Sequence, residues 1–210
     1  MNYAGHSDWR LPSIKEMMTL IEYNRQWRLP LEFSDSGWQH GAWSGTDDPE
    51  DQEKAFYSNG YGVDKLVDFD YGDEIEYHTK TNTDHSYTCV RGSGLSESSF
   101  EEIDAKGDGT EIVIKDTTTN LYWQKTPVYK NWSQAFTYCE NLVYGGYDDW
   151  RMPNINELYS IADYTLHDPA ISPLFEIDNW DQSSTTMSSW NEVYYVIDFV
   201  SGLSYNNQKK

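Results

Sequence analysis

Gly5-His6-Ser7-Asp8-Trp9-Arg10-Leu11-Pro12-Ser13-Ile14-Lys15-Glu16 is answered later in the chain by Gly146-Tyr147-Asp148-Asp149-Trp150-Arg151-Met152-Pro153-Asn154-Ile155-Asn156-Glu157. The step of 141 positions continues to Tyr23 and Tyr164. A second match follows each: Val67-Asp68-Phe69 with Gly72, and Ile197-Asp198-Phe199 with Gly202, now at a step of 130. The chain reads as two copies of one unit, the first with roughly ten extra residues between its matching segments. A step this long means tandem domains, because solenoid repeats recur every ~20–50 residues.

Local structure can be read outward from the repeat. Ile14, Met17, Met18 and Ile21 recur at helical spacing, as do Ile155, Leu158, Tyr159 and Ala162, so each Trp-Arg-X-Pro opens a helix. Proline in the first turn, then Ser13 or Asn154 and Glu16 or Glu157, suits a helix start. Trp9, Arg10, Pro12 and Glu16, with Trp150, Arg151, Pro153 and Glu157, are therefore read as a fold determinant. In it Trp packs and Arg clamps Glu through its planar fork. Trp132 to Leu142 predicts a further helix with Ser133 as its cap. Leu66 to Phe69, Ile112 to Ile114, Leu121 to Trp123 and Val193 to Val200 predict short strands. Gly60 to Gly62, Gly107 to Gly109 and Asn206-Asn207 are turn signals. The fold class is α+β, with a small antiparallel sheet, two helices and long loops per intact copy.

The copies differ at their ends. The second has an entry segment from Asp104 to Leu142 for which the first has no room. The first closes on Tyr87-Thr88-Cys89-Val90-Arg91-Gly92, whose counterpart in the second would fall beyond Lys210. The expected organisation is 1–92 for a first copy lacking its N-terminal strand and helix, 93–103 for a linker rich in Ser and Glu, and 104–210 for a second copy lacking its C-terminal Cys-containing strand. The repeat implies one cysteine pair per intact copy, which leans toward an oxidising compartment.

Composition narrows the function classes. A length of 210 residues suffices for two small domains with cores of their own. Aromatics at 16% are too many for a disordered chain. A formal charge of −20 repels nucleic acid, anionic membranes and polysulfated polymers. No apolar run approaches the ~20 residues of a membrane span, so no membrane insertion is expected. His6, His40, His78, His85 and His167 make no zinc spacing, and no nucleophile elbow, Walker loop or dinucleotide fingerprint is present. A Cys–His nucleophile would need Cys89 or Cys139 free. The acidic run Asp47 to Glu53 reads as a solvated loop. Asp104, Asp108 and Glu111, around Gly107 and Gly109, are calcium candidates that read more simply as a turn entering a strand. No cofactor is expected.

Taken together, Gly107-Asp108-Gly109-Thr110, Asn120-Leu121-Tyr122-Trp123-Gln124-Lys125, Trp132-Ser133-Gln134-Ala135, Tyr138-Cys139, Asp148-Asp149-Trp150-Arg151-Met152-Pro153-Asn154-Ile155-Asn156-Glu157-Leu158, Ser183-Ser184-Thr185-Thr186 and Cys89-Val90-Arg91 resemble one bacterial family. It is that of the C-terminal domain of the Legionella collagen-like protein, and the resemblance covers nearly the whole chain. It implies a C-type-lectin-like fold, a secreted or cell-surface bacterial location, adhesive function and disulfide partners for Cys89 and Cys139. Members usually carry Tyr-Trp before Ser-Ser-Thr; here Asp181-Gln182 stands there, and the first copy has Trp43-Ser44-Gly45-Thr46. The adhesin's affinity for sulfated polysaccharide does not transfer to so acidic a chain.

The expected function is a non-catalytic binding module that engages a glycan or surface protein through aromatic-rich loops. The alternatives are an assembly domain of a surface fibre and an enzyme on a lectin-like fold related to formylglycine-generating enzymes. Rigid aromatics stack on sugars or anchor protein partners, while Asn and Ser adapt their hydrogen bonds. The candidates are Trp190, Tyr194, Trp180, Tyr205 and Asn206 in the second copy, and Trp43, Tyr57 and Tyr61 in the first. Trp38, Tyr71 and Tyr77 share that loop-rich half. Half or more of these rings belong to the core on size grounds alone. Alternation from Val193 to Phe199 predicts Tyr195, Ile197 and Phe199 on the buried face, with Tyr194 and Asp198 opposite.

Overall fold

The structure, a computed structural model, describes residues 2–23, 42–58, 75–81, 87–176, 180–187 and 190–209. For Tyr57, Ser58, Ile75, Glu76, Tyr77, His78, Trp180, Met187, Trp190 and Asn206 it describes the backbone. In chain order the first copy contributes β1 (Trp9–Arg10), α1 (Ile14–Met18), β2 (Ala42–Asp47), β3 (Lys54–Ser58), β4 (Ile75–Thr79) and β5 (Val90–Arg91). The second contributes β6 (Phe100–Asp104), β7 (Ile112–Asp116), β8 (Tyr122–Gln124), α2 (Trp132–Glu140), α3 (Ile155–Ile161), β9 (Trp180–Met187), β10 (Trp190–Asp198) and β11 (Leu203–Gln208). The sheets are small and antiparallel, ordered β2-β3-β4, β6-β7-β8 and β11-β10-β9, with β1-β5 as a two-stranded ribbon. The fold is thus mixed α and β with few helices.

Both motifs open their helices by the same chemistry. Ser13 caps α1 and Asn154 caps α3, each side chain accepting from the N–H of the Glu three residues on, at 3.2 and 3.0 Å. Glu16 and Glu157 return the bond, accepting from the N–H of Ser13 at 2.7 Å and of Asn154 at 2.9 Å, which completes a capping box. The same carboxylates are gripped by arginine forks. Arg10 donates to Glu16 at 2.7 and 2.6 Å, and Arg151 donates to Glu157 through both terminal nitrogens. Each Glu therefore satisfies a helix end and neutralises an arginine at once. Trp9 Nε1 donates to the Tyr3 carbonyl at 3.1 Å, and Trp150 Nε1 to its counterpart Tyr144 at 3.0 Å. The arginine–glutamate clamp and the helix start read from the motif are present in both copies, but Pro12 and Pro153 precede the capping residues instead of lying in the first turn.

The likeness extends to the sheets. Thr46 and Thr185 hydroxyls accept from Ile14 N–H and Ile155 N–H, both at 3.0 Å, which occupies a further free helix-end donor. Ala42↔Ser58 and Trp43↔Tyr57 across β2–β3 repeat as Asp181↔Ile197 and Gln182↔Val196 across β9–β10. Asp47↔Ala55 then matches Thr186↔Tyr194 past the same irregularity. These registers make Phe56 the counterpart of Tyr195, and Ala42 the counterpart of Asp181. They also make Ser58, not Val67, the counterpart of Ile197, so the sequence match at a step of 130 does not hold for this strand.

The two copies do not keep separate cores. One buried cluster joins Ile14, Met17, Met18, Ile21 and Phe56 to Ile155, Leu158, Tyr159, Ile197 and Phe199, and α1 lies against α3. The ring contacts are reciprocal: Tyr23 meets Tyr195 edge-on at 5.0 Å, and Tyr164 meets Phe56 at 5.3 Å. Since Tyr23 matches Tyr164 and Phe56 matches Tyr195, this is the self-complementary contact of a twofold dimer, made within one chain. The span read as linker is part of it. Lys15 pairs with Glu97 at 2.8 Å, and Ser98 Oγ donates to the Ser160 carbonyl at 2.7 Å. Its last residues begin β6, with Phe100 packed on Phe175 at 5.2 Å. Within β6 Phe100 and Ile103 are three positions apart and so lie on opposite faces, which leaves no alternation for the sequence to show.

Other local expectations need correction. Asn131, not Ser133, caps α2, accepting from Gln134 N–H at 2.9 Å. Asn206-Asn207 is no turn but lies in β11, paired with Tyr195 and Tyr194; the turn comes earlier, where Gly202 at φ +75° bonds back to Asp198. α1 ends at Met18, sooner than its apolar spacing predicts, although Ile21 and Tyr23 still enter the core. The strand expected over Leu66 to Phe69 and the turn at Gly60 to Gly62 lie outside the described residues.

Candidate functional site

The second copy carries an aromatic groove of about 460 Å³. One wall is β8 and the loop after it, with Tyr122, Trp123 and Tyr129; another is α2, with Tyr138 and Cys139. The motif strand supplies Asp149, Trp150 and Arg151, and β9 supplies Asp181 and Gln182. Packing fixes these rings before any ligand arrives. Tyr122 and Tyr147 lie 4.8 Å apart, and Gln124 Nε2 donates to Tyr138 Oη at 3.1 Å. Tyr144 Oη accepts from Ile112 N–H and donates to Ile112 O, both at 3.1 Å, which ties the Trp150 loop to β7. At the mouth Tyr129 is 75% exposed.

Polar groups in the walls are strained by enclosure. Trp123 Nε1 and Gln182 Oε1 are buried with no hydrogen-bond partner among the described residues. An unpaired buried donor or acceptor costs ~1–3 kcal/mol, and both atoms are covered by the protein itself rather than open to the groove. Gln182 Nε2 is anchored on the Lys130 carbonyl at 2.8 Å, holding the free oxygen in place. Asp181 is partly exposed as a residue but its carboxyl is enclosed; burial pushes it up to about 6, against the Gln182 N–H at 2.8 Å that favours its charged form. Burial also raises the Cys139 thiol, helped by the negative charges of Asp181 and Glu140. For Glu157, burial pushes upward but the Arg151 hydrogen bonds win, and its carboxyl stays below the usual range. In the first copy the Arg10 hydrogen bonds hold Glu16 down at about 2.

Of the sequence-derived binding candidates whose side chains are described, Tyr194, Tyr205 and Trp43, none lines this groove. Tyr194 is 5% exposed: its sheet is covered on both faces, and Trp132 of α2 lies 5.9 Å from its ring, with Lys209 Nζ 3.9 Å above Trp132. Alternation named the core face correctly but could not show that α2 covers the other. Tyr205 packs partly buried against the core and Trp43 is half-buried. Trp190, Trp180, Tyr57, Asn206 and Tyr77 are described by backbone alone, and Tyr61, Trp38 and Tyr71 lie outside the described residues. The groove rings Tyr122, Trp123, Tyr129 and Tyr138 lie in the entry segment, where their density is a legible signal, and Tyr147 joins them from the repeated motif.

The acidic candidates serve their loops. Asp104 accepts from Gly107 N–H at 2.8 Å and Gly109 N–H at 2.9 Å, and Asp108 accepts from Thr110 N–H at 2.9 Å. Glu111 pairs with Lys106 at 2.5 Å and accepts from Gly145 N–H at 2.9 Å. Among the described residues no group of three or more His, Cys, Asp or Glu side chains is arranged to hold a metal ion. Asp48, in the run from Asp47 to Glu53, is buried and accepts from Glu50 N–H at 2.9 Å. Cys89 and Cys139 are both free and half-buried.

Fold and groove define a small tandem module of antiparallel sheets and short helices, in which a doubled Trp-Arg motif organises the frame and an aromatic groove opens in one copy. The family profile described as Lcl C-terminal domain matches residues 1–91 and 112–210, and the chain belongs to that family. The two matched stretches coincide with the two copies of the motif. No curated protein and no solved structure matches the chain. Among the described residues no helix is long and apolar enough to cross a membrane.

Proposed function

We propose that the chain is a non-catalytic, C-type-lectin-like ligand-binding module of a secreted or surface-attached bacterial protein, and that it holds its ligand in the groove of the second copy. The observation that carries this reading is the joint presence, in one preformed cavity, of aromatic faces fixed by packing and polar side chains beside them. Ligand sites combine these features, since apolar walls supply area and a few polar groups set orientation. Rigid Tyr and Trp faces suit a sugar ring or a peptide equally. The adhesive expectation attached to the family points the same way. A raised Cys139 thiol is the reverse of what a nucleophile requires, which favours binding over covalent catalysis. The net charge of −20 directs the choice toward neutral or basic ligands.

A screen of the folded chain against neutral glycans and basic or neutral peptides tests the reading. Tyr129→Ala is expected to weaken whatever binds by at least about tenfold while leaving Tm within a degree or two, because an exposed ring contributes little to folding. Undiminished binding in that variant would remove the groove from the reading, and silence from both libraries would remove the reading itself.

A further inference from the structure

The contact between the copies is reciprocal in its rings but not in its hydroxyls. Tyr23 enters the second copy between Tyr159 and Tyr195, with ring centroids 6.5 and 5.0 Å away. Tyr164 enters the first copy edge-on to Phe56 at 5.3 Å. The step of 141 makes Met18 the counterpart of Tyr159. The strand registers make Phe56 the counterpart of Tyr195 and Ile75 that of Ser204. The second copy's socket thus carries a hydroxyl at three positions where the first copy has Met, Phe and Ile.

Tyr23, Tyr159, Tyr164, Tyr195 and Ser204 are all buried, so water does not even out this difference. Burial raises the Tyr159 phenol above its ordinary value and Tyr164 adds to the rise, while the hydroxyls of Ser204 and Tyr23 pull it back. Burial raises Tyr164 too, joined by the charge of Glu97, and there no hydroxyl pulls it back. Glu97 itself is turned to Lys15 at 2.8 Å. Tyr159 Oη and Ser204 Oγ stand short of ideal hydrogen-bond geometry, but a hydroxyl both donates and accepts and rotates to suit its neighbours. Tyr164 Oη has no hydrogen-bond partner among the described residues and carries its full desolvation cost.

We infer that the second copy's socket is a hydroxyl receptor that specifies which partner the shared core accepts: a copy of this unit presenting tyrosine at the position of Tyr23. Tyr159 and Ser204 are its positioning residues. The first copy's socket takes the same ring by shape alone. Pairing is therefore directional, since the tyrosine hydroxyl contributes on one side of the twofold and is tolerated on the other. Two first copies from separate chains would bury two such hydroxyls in apolar sockets, so the same pattern works against that wrong pairing.

Thermal melts of the full 210-residue chain test this, with substitutions that remove one hydroxyl each and keep the ring. Tyr23→Phe and Tyr159→Phe are each expected to lower Tm by about 2–4 °C. The two together are expected to lower it little more than either alone, because both remove the same contact across the copies. Tyr164→Phe is expected to raise Tm, since it deletes a buried hydroxyl that nothing answers. Shifts of the same sign in Tyr23→Phe and Tyr164→Phe overturn the inference. Strict additivity of Tyr23→Phe with Tyr159→Phe overturns it as well, because the hydroxyls would then not recognise one another.

Discussion

The first and second copies close the same arginine–glutamate clamp on the same helix start, yet among the described residues the adjoining strand is paired only in the first. The clamp therefore does not depend on its neighbour. The motif builds the frame from local bonds, and what lies against its outer edge differs between the copies. In the second copy β8 and α2 stand beside it and wall the groove. Where two copies of one sequence pattern differ in surroundings, the shared contacts identify the scaffold and the differing ones identify the site.

The comparison can be broken most forcefully at the shared core. Tyr164→Ala removes the ring that the second copy lays on Phe56, and is expected to cost about 3–5 kcal/mol. Urea unfolding should still show one transition, because the cores are continuous. Two separate transitions would show that the copies are independent after all.

A smaller effect is expected where the copies differ in backbone. Gly145, at φ +62°, is matched in the first copy by Ala4 at φ +51°. A Cβ on Gly145 would stand 2.5 Å from Val113 Cγ1 in β7. Gly145→Ala should cost about 2–4 kcal/mol from left-handed strain and overlap together. Ala4→Gly should gain about 0.5–1 kcal/mol, relieving strain at some cost in unfolded-chain entropy. Thermal melts of the two variants should move in opposite directions; a shared direction would break the equivalence.

A pH-dependent effect comes from lending the second copy a residue of the first. Asp181→Ala copies Ala42. With its folded pKa raised to about 6, Asp181 keeps its proton in the native state while the unfolded chain releases it, so wild-type stability falls as pH rises from about 4 to about 6. The variant should therefore gain up to about 2–3 kcal/mol over the wild type across that window, with no pH-linked gain below pH 4. A gain that does not vary with pH would place its cause in packing rather than in the carboxyl.

Much of the frame was legible because it is local. A proline, a capping residue, a glutamate three positions on and an arginine six before it form a closed set of bonds within one short stretch, and repetition exposed it. The buried face of β10 was likewise readable from alternation. Contacts between distant segments were not. No periodicity shows that α2 covers Tyr194, or that Tyr23 crosses to Tyr195, so Tyr194 reads as facing away from the core when its other face is covered too. Phe100 and Ile103 stand three apart on opposite faces of their strand, so no alternation marks it. The groove could have been suspected from its crowd of tyrosines, but the same crowd fits a core, and only the cavity between β8, α2 and the motif strand separates the two.

The reciprocal seating of Tyr23 on Tyr195 and Tyr164 on Phe56 has a consequence for dilution. Two identical subunits joined by such a contact would come apart as their concentration fell, and their stability would follow mass action. Here the segment from Gly92 to Ser99 keeps each half in the presence of the other, at an effective concentration of roughly millimolar order for a short connection. Assembly becomes a first-order event, indifferent to how much protein is present. A protein exposed to a large and variable outside volume would thereby keep its paired core at concentrations where an untethered dimer would have dissociated.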